Sequence, residues 1–295
     1  MSPTALERLA LYFGALRTRQ GVLARAAIGA PDAGDEALAH ELAGSLSAEL
    51  RPDGTVSGGA VPTIWRAHEL LDLGRNGDDP SLAAILAWLL ASQSRPGAYG
   101  DGCDKARHTQ HICMHYVRGF FSPAPAEVRV APVTLPNGKS FRVEPVARFA
   151  ISCLGLRAAL RANLGSQPGL RQHVESLRLL ATQWTGWSGF FPPDAIIAGL
   201  HALALAGRDT EGCVASIVDM VAAHQGPDGL WPNADPFATL EALQATGLDA
   251  ARTAVRRALP PLVERQRADG SFGTMAQQER ALIALRAILW ADPDV

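Results

Sequence analysis

The segment Gln225–Gly247, QGPDGLWPNADPFATLEALQATG, decides the fold. It opens on a turn rich in Gly, Pro and Asp and runs into an apolar pattern with helical spacing. Both halves recur along the chain. Related turns stand at Arg51 (RPDGTVSGG), Ser94 (SRPGAYGDG), Trp184 (WTGWSGFFP) and Arg267 (RADGSFGT). The apolar pattern returns as GLHALALAG from Gly199 and ALIALRAIL from Ala281. Strand signals are scarce and Ala and Leu recur at helical intervals, so the chain reads as all-α. One pair of helices cannot bury its own apolar face, and stacking of successive pairs must do it.

The second, more apolar helix of each unit is expected at Val61–Leu73, Lys105–Phe120, Val146–Ala162, Asp194–Ala206, Pro236–Gly247 and Gln277–Trp290. The helices that precede the turns carry more charge and belong outside. Six such hairpins predict a single closed (α/α)6 toroid over residues 35–295. Residues 1–34 are expected to form an N-terminal helix, Thr4 to about Ala26, and a linker packed on the barrel. Residues 126–143 alternate in polarity around Asn137-Gly138, a β-hairpin signal. They are read as an inserted ribbon that replaces one outer helix, serving as a cover for the mouth or as a contact in a homodimer.

Hydrophobic residues make up 47% of the 295, enough for a large core. The formal net charge is -2, with no basic footprint for nucleic acid. Charges interrupt the N-terminal apolar pattern, so no signal peptide is expected. Apolar stretches such as Ala195–Gly207 are too short to span a bilayer. The four cysteines form no CxxC pair and read as reduced thiols of a cytoplasmic protein. There is no phosphate-binding P-loop, dinucleotide fingerprint or Asp-rich DDxxD motif for a metal-bound diphosphate.

In a toroid the heads of the inner helices meet at one mouth, so polar residues there are candidates for a site. The densest group lies in Gln93–Arg118, where His108, His111 and His115 stand three and four residues apart on one helical face. As metal ligands, His111, a neighbouring histidine and Cys103 suit zinc or iron. His108 and His115 lie about 10 Å apart along a helix, so at most two would share an ion. As acid–base groups, histidines near pKa ~6.5 suit proton transfer without a metal. As channel lining, they would do neither.

Asp194 and Asp235 each open an inner helix after a proline-containing turn. They are either N-caps or carboxylic acids of raised pKa that can protonate a double bond. His201 and Glu241 occupy the same repeat position, where Ile283 stands in ALIAL, which suggests a register facing the cavity. His68 lies one or two turns below the mouth. Trp65 could line the wall and stabilise a cation through its ring face.

The turns Gln225–Trp231, Gln266–Phe272 and, more loosely, Gln93–Tyr99 resemble the repeats of terpenoid cyclases and protein prenyltransferase β-subunits, squalene-cyclase-like repeats included. The resemblance runs from about Asp35 to the C-terminus. It implies the (α/α)6 toroid and a hydrophobic, isoprenoid-derived substrate in the central cavity. Squalene–hopene-type cyclases carry an acidic DxDD motif at the head of an inner helix, and this chain has single aspartates there instead. Protein prenyltransferases bind zinc through an Asp-x-Cys pair and a histidine. Asp101-Gly102-Cys103 and His111 look like those elements.

The expected function is therefore acid–base cyclisation or isomerisation. His108, His111, His115, Asp194 and Asp235 would be catalytic, and Trp65, His68, His201 and Glu241 would line the substrate site. The alternatives are a zinc or iron enzyme built on the histidine face and a non-catalytic module binding a lipid or peptide.

Overall fold

The computed structural model describes residues 4–99, 119–125, 127–188 and 191–292. Among these residues there are twelve α-helices: α1 Ala5–Gly14, α2 Arg19–Ala27, α3 Asp35–Ala48, α4 Ala60–Asp72, α5 Pro80–Ala91, α6 Glu144–Arg161, α7 Pro168–Ala181, α8 Pro193–Ala204, α9 Glu211–Ala223, α10 Pro236–Thr246, α11 Asp249–Val263 and α12 Gln277–Ala291. Two short strands, β1 Val133–Thr134 and β2 Ser140–Phe141, pair antiparallel. The even-numbered helices form the inner ring. Each packs on the next, and α12 returns to α2. The odd-numbered helices lie outside. The fold is thus the expected toroid. Among the described residues no helix is long and apolar enough to cross a membrane.

Local chemistry sets these boundaries. Pro is the first residue of α5, α7, α8 and α10, where its missing N–H costs nothing. The outer α11 buries Ala251, Ala254, Val255, Ala258 and Leu262 at intervals of three and four, one stripe against the ring. The inner α6 buries residues on nearly every face.

The Asp-Gly turns explain how the units stack. In Arg51–Thr55, Gly226–Leu230 and Arg267–Ser271 the first residue's N–H bonds the fifth residue's carbonyl, at 2.7–2.9 Å. The Asp Oδ1 accepts the fifth residue's N–H. Gly54, Gly229 and Gly270 have φ of 79°, 80° and 90°. A Cβ there would come within 2.4, 2.3 and 2.5 Å of the carbonyl oxygens of Ala84, Arg257 and Arg8. These oxygens belong to α5, α11 and α1, so each turn presses its glycine on a neighbouring outer helix. Glutamine completes the clamp. Gln225 Nε2 donates to Gly229 O (2.6 Å) and to Ala254 O of α11 (2.8 Å). Gln266 Nε2 donates to Gly270 O (3.1 Å) and to Ala5 O of α1 (3.3 Å).

That last clamp makes α1 the outer helix that follows α11, and α2 the sixth inner helix. The N-terminal segment, expected as one helix added to the ring, is two helices that close it. The chain folds back because Thr18 starts a new helix, its Oγ1 accepting from Gly21 N (3.3 Å). A Cβ at Gly21 would meet Leu16 O at 2.2 Å. Arg19, buried at the start of α2, ties the closure by pairing with Asp72 of α4 and Glu279 of α12. The inner helix expected at Lys105–Phe120 lies almost wholly outside the described residues, and α4 packs directly on α6. The ribbon replaces no outer helix. Among the described residues its strand pairing is Val133–Phe141 and Thr134–Ser140.

Candidate functional site: a ribbon-capped lumen

The ribbon turn Leu135–Lys139 is chemically the same turn as the Asp-Gly turns. Leu135 N–H bonds Lys139 O and Gly138 N–H bonds Leu135 O, both at 2.8 Å. Asn137 Oδ1 accepts Lys139 N–H, taking the role of aspartate. Its destination differs. Gly138 sits against the Arg280 side chain of an inner helix rather than an outer-helix carbonyl. Arg280 donates to Gly138 O (3.1 Å) and Asn137 O (3.4 Å), and also to Asp235 Oδ2 (3.1 Å). Lys139 Nζ donates to Asp194 Oδ2 at 2.5 Å and Asn137 Nδ2 to Glu241 Oε2 at 3.2 Å. The ribbon tip is thereby seated on the heads of α8, α10 and α12.

These contacts separate the two aspartates that look alike in sequence. Asp235 is a cap: its Oδ1 accepts Phe237 N–H and Ala238 N–H, and its Oδ2 takes Arg280. Asp194 makes no cap bond, and its carboxylate meets Lys139. Burial raises the Asp194 carboxyl above its ordinary value, against the pull of Lys139. Burial likewise raises Glu241, with the Arg157 charge opposing.

Below the ribbon the lumen holds two chambers. The upper, about 40 Å³, is lined by ribbon residues, by Asp194 and by apolar side chains of α6 and α8. The deeper, about 340 Å³, is bordered by Trp65, His68 and a set of arginines. Arg157, His201 and Glu241 border both and form a septum between them. His201 and Glu241, which share one repeat position, both line the lumen.

The histidines differ. His68 Nδ1 lies 3.0 Å from Arg161 Nη1, which can only donate, so Nδ1 accepts. Nε2 therefore carries the proton and donates to Leu154 O (3.1 Å). Both nitrogens are engaged, and burial with Arg157 and Arg161 nearby holds the pKa well below the usual histidine range. His68 is a fixed, neutral wall residue. Trp65 packs against it at 5.9 Å between ring centroids, and the Arg19 guanidinium stands 6.0 Å over the indole. His201 is also kept neutral by burial and by Arg157, and it has no hydrogen bond among the described residues.

Cys103, His108, His111 and His115 lie outside the described residues. Among those described, no group of three or more His, Cys, Asp or Glu side chains is placed to hold a metal. Sequence reasoning overlooked Lys139, Asn137, Arg157 and Arg161. A signal existed for two of them: Cys153, Arg157 and Arg161 recur every fourth residue inside the apolar stretch AISCLGLRAALRA. Cys153 is buried, and burial pushes its thiol up to about 12, so it is an inert wall residue.

A toroid so closed invites comparison with solved structures. The type II terpene cyclase MstE from Scytonema, in complex with geranylgeranyl dihydroxybenzoate, superposes with a TM-score of 0.57 at 16% identity, over 97% of this chain and 88% of that one. The chain has a terpenoid-cyclase-like fold. A protein from Actinoplanes matches at 0.55 and 17% identity, over 93% of this chain and 89% of that one. The ent-copalyl diphosphate synthase from Streptomyces platensis matches at 0.52 and 17% identity, over 95% of this chain and half of the larger partner. No protein-family model and no curated protein matches the sequence. At these identities the terpenoid-cyclase-like likeness speaks for the fold, and the chemistry has to be argued from the lumen.

Proposed function

We propose that the chain is an enzyme that cyclises or isomerises a hydrophobic, isoprenoid-derived small molecule by proton transfer in the lumen. The observation that carries this reading is the arrangement of the mouth and septum. Two carboxyls raised by burial, Asp194 and Glu241, border one lumen with a neutral His201. A protonated carboxyl can deliver its proton to one carbon of an alkene, leaving a cation on the other. Loss of a proton from a neighbouring carbon to the His201 ring nitrogen then restores a double bond. Asp194 is the preferred donor because its carboxyl is raised by burial and meets the ribbon's Lys139, whereas Asp235 is spent on the cap and on Arg280. His108, His111 and His115 join the proposal as further proton-transfer groups. Trp65 is a wall residue in it.

The upper chamber of about 40 Å³ is far below the roughly 300–1,000 Å³ of ordinary small-molecule sites. Substrate access to Asp194 therefore requires the ribbon tip to withdraw, which also releases Lys139 from the acid. The test is turnover of prenyl alcohols and prenylated phenols by the full chain, read by mass spectrometry. Asp194→Asn keeps the shape and removes the proton, and is expected to lower the rate about 10²–10⁴-fold. Unchanged turnover in both Asp194→Asn and Glu241→Gln would overturn the assignment of the acid.

A further inference from the structure

Lys139 reaches the mouth on the ribbon and leaves with it. Its ammonium donates to Asp194 Oδ2 at 2.5 Å and stands 5.3 Å over the Phe141 ring. Both members of the pair are mostly buried, their side chains 12% and 23% exposed. At that separation and burial an ammonium strongly favours the carboxylate over the neutral acid. The other neighbours of Asp194 stay with the barrel. Asp235, at the head of α10, faces it with a backbone N–H and a like charge, and Arg280 of α12 holds that second carboxylate. Arg157 of α6, His201 of α8 and Glu241 of α10 line the same chamber below. The cation paired with Asp194 therefore sits on the element that has to move. Its departure need not hydrate the acid. The chamber is walled by Leu135 and Phe141 of the ribbon and by Ala150, Leu154 and Ile197 of the barrel. A hydrocarbon chain that takes the place of the ribbon tip keeps water from Asp194 while the ammonium goes. The desolvation that favours the neutral acid remains, and the charge that opposes it is removed. Asn137 leaves Glu241 in the same movement, but the Arg157 charge still acts on that carboxyl.

We propose that Lys139 is a positioning residue that holds Asp194 as a carboxylate until a hydrophobic ligand displaces the ribbon tip, so that ligand binding itself protonates the acid. The proton comes from solvent. The Lys139 ammonium keeps its own protons and passes into water, and no covalent bond to carbon changes in this step. Burial already raises the Asp194 carboxyl against the pull of Lys139, which is the direction this exchange requires. The bound form has the higher pKa, so affinity rises as pH falls through the interval between the free and bound values. That the acid then serves an alkene rests on the function proposed above. The exchange of an ion pair for a proton does not.

The test is calorimetric titration of the full chain with hexahydrofarnesol, a saturated prenyl-alcohol analogue that offers no alkene to protonate. Titration at each pH in two buffers of different ionisation enthalpy gives the protons taken up per ligand. Net uptake is expected for the native protein between pH 5 and pH 8, kept in Lys139→Arg and lost in Lys139→Met and in Asp194→Asn. With a substrate that turns over, Lys139→Met is expected to move the alkaline limb of kcat/KM, which reports the free enzyme, up by about one pH unit or more. The limb of kcat, which reports the complex, stays where it is. A lysine that only supports the ribbon would move both limbs or neither. Failure of the analogue to saturate, or unchanged uptake in Lys139→Met, overturns the proposal. Proton uptake without turnover of any prenyl substrate would sink the proton-transfer reading and leave this one standing, and turnover without linked uptake would do the reverse.

Discussion

Asp194 and Asp235 show why two residues with the same sequence setting part company in three dimensions. Each follows a proline-containing turn and stands at the head of an apolar inner helix. Capping and acid catalysis both favour aspartate there, so the sequence cannot separate them. The separation comes from which backbone N–H groups the carboxylate reaches. Asp235→Ala removes two cap bonds and the Arg280 partner, and is expected to cost about 1–2 kcal/mol in chemical denaturation. An unshifted midpoint would contradict the cap.

Glu241 gives a pH-dependent signature. Its pKa is raised in the folded chain, so its ionisation opposes folding. The native protein therefore loses stability as pH rises from the ordinary glutamate value, about 4.3, through the raised folded value. Glu241→Gln lacks that loss. Its melting temperature relative to the native protein should rise between pH 4 and pH 8. A flat or falling difference would show that Arg157 holds the carboxylate ionised.

At the scale of elements, the ribbon is the informative case. Asn137-Gly138 made a turn legible, because a β-hairpin tip and an Asp-Gly-type turn want the same positive φ. The ribbon's destination was not legible. It depends on Arg280, which reads in sequence as one more charge on α12. Arg280 holds the tip by two carbonyls. Arg280→Ala is expected to speed amide exchange at residues 135–141 without speeding it in α6, and to speed thiol labelling of the buried Cys153 beneath. Equal exchange in both proteins would mean that Lys139 and Asn137 suffice to seat the ribbon.

The N-terminal helices teach a similar lesson. Their apolar pattern was visible, but the break at Ala15–Thr18 was not, because it is decided by contact between Gly21 and Leu16. Arg19 is buried among Asp72, Glu69 and Glu279. Arg19→Ala removes the guanidinium from Asp72 and Glu279, which keep only Arg161 and Gln20, and a loss of about 3–5 kcal/mol is expected on unfolding in urea. A loss under 1 kcal/mol would mean that α2 does not close the ring through this network.

For the whole molecule, the toroid was legible because its information is repeated. The Asp-Gly turns at Asp53, Asp228 and Asp269 each carry the same local hydrogen bonds, and every glycine among them meets an outer-helix carbonyl. The candidate site was legible only where it shares that periodicity, at His201 and Glu241. Lys139 comes from an insertion, and Arg157 sits in a helix whose repeat pattern is weak, so neither announced itself. The central claim is that a carboxyl at the mouth gives its proton to an alkene. Its most direct test is turnover of a prenyl substrate in heavy water, comparing the native protein with Asp194→Asn. The account predicts a cyclised or isomerised product carrying one deuterium for each protonation, formed by the native protein and lost in the variant. A product free of deuterium, or full turnover by Asp194→Asn, would contradict it.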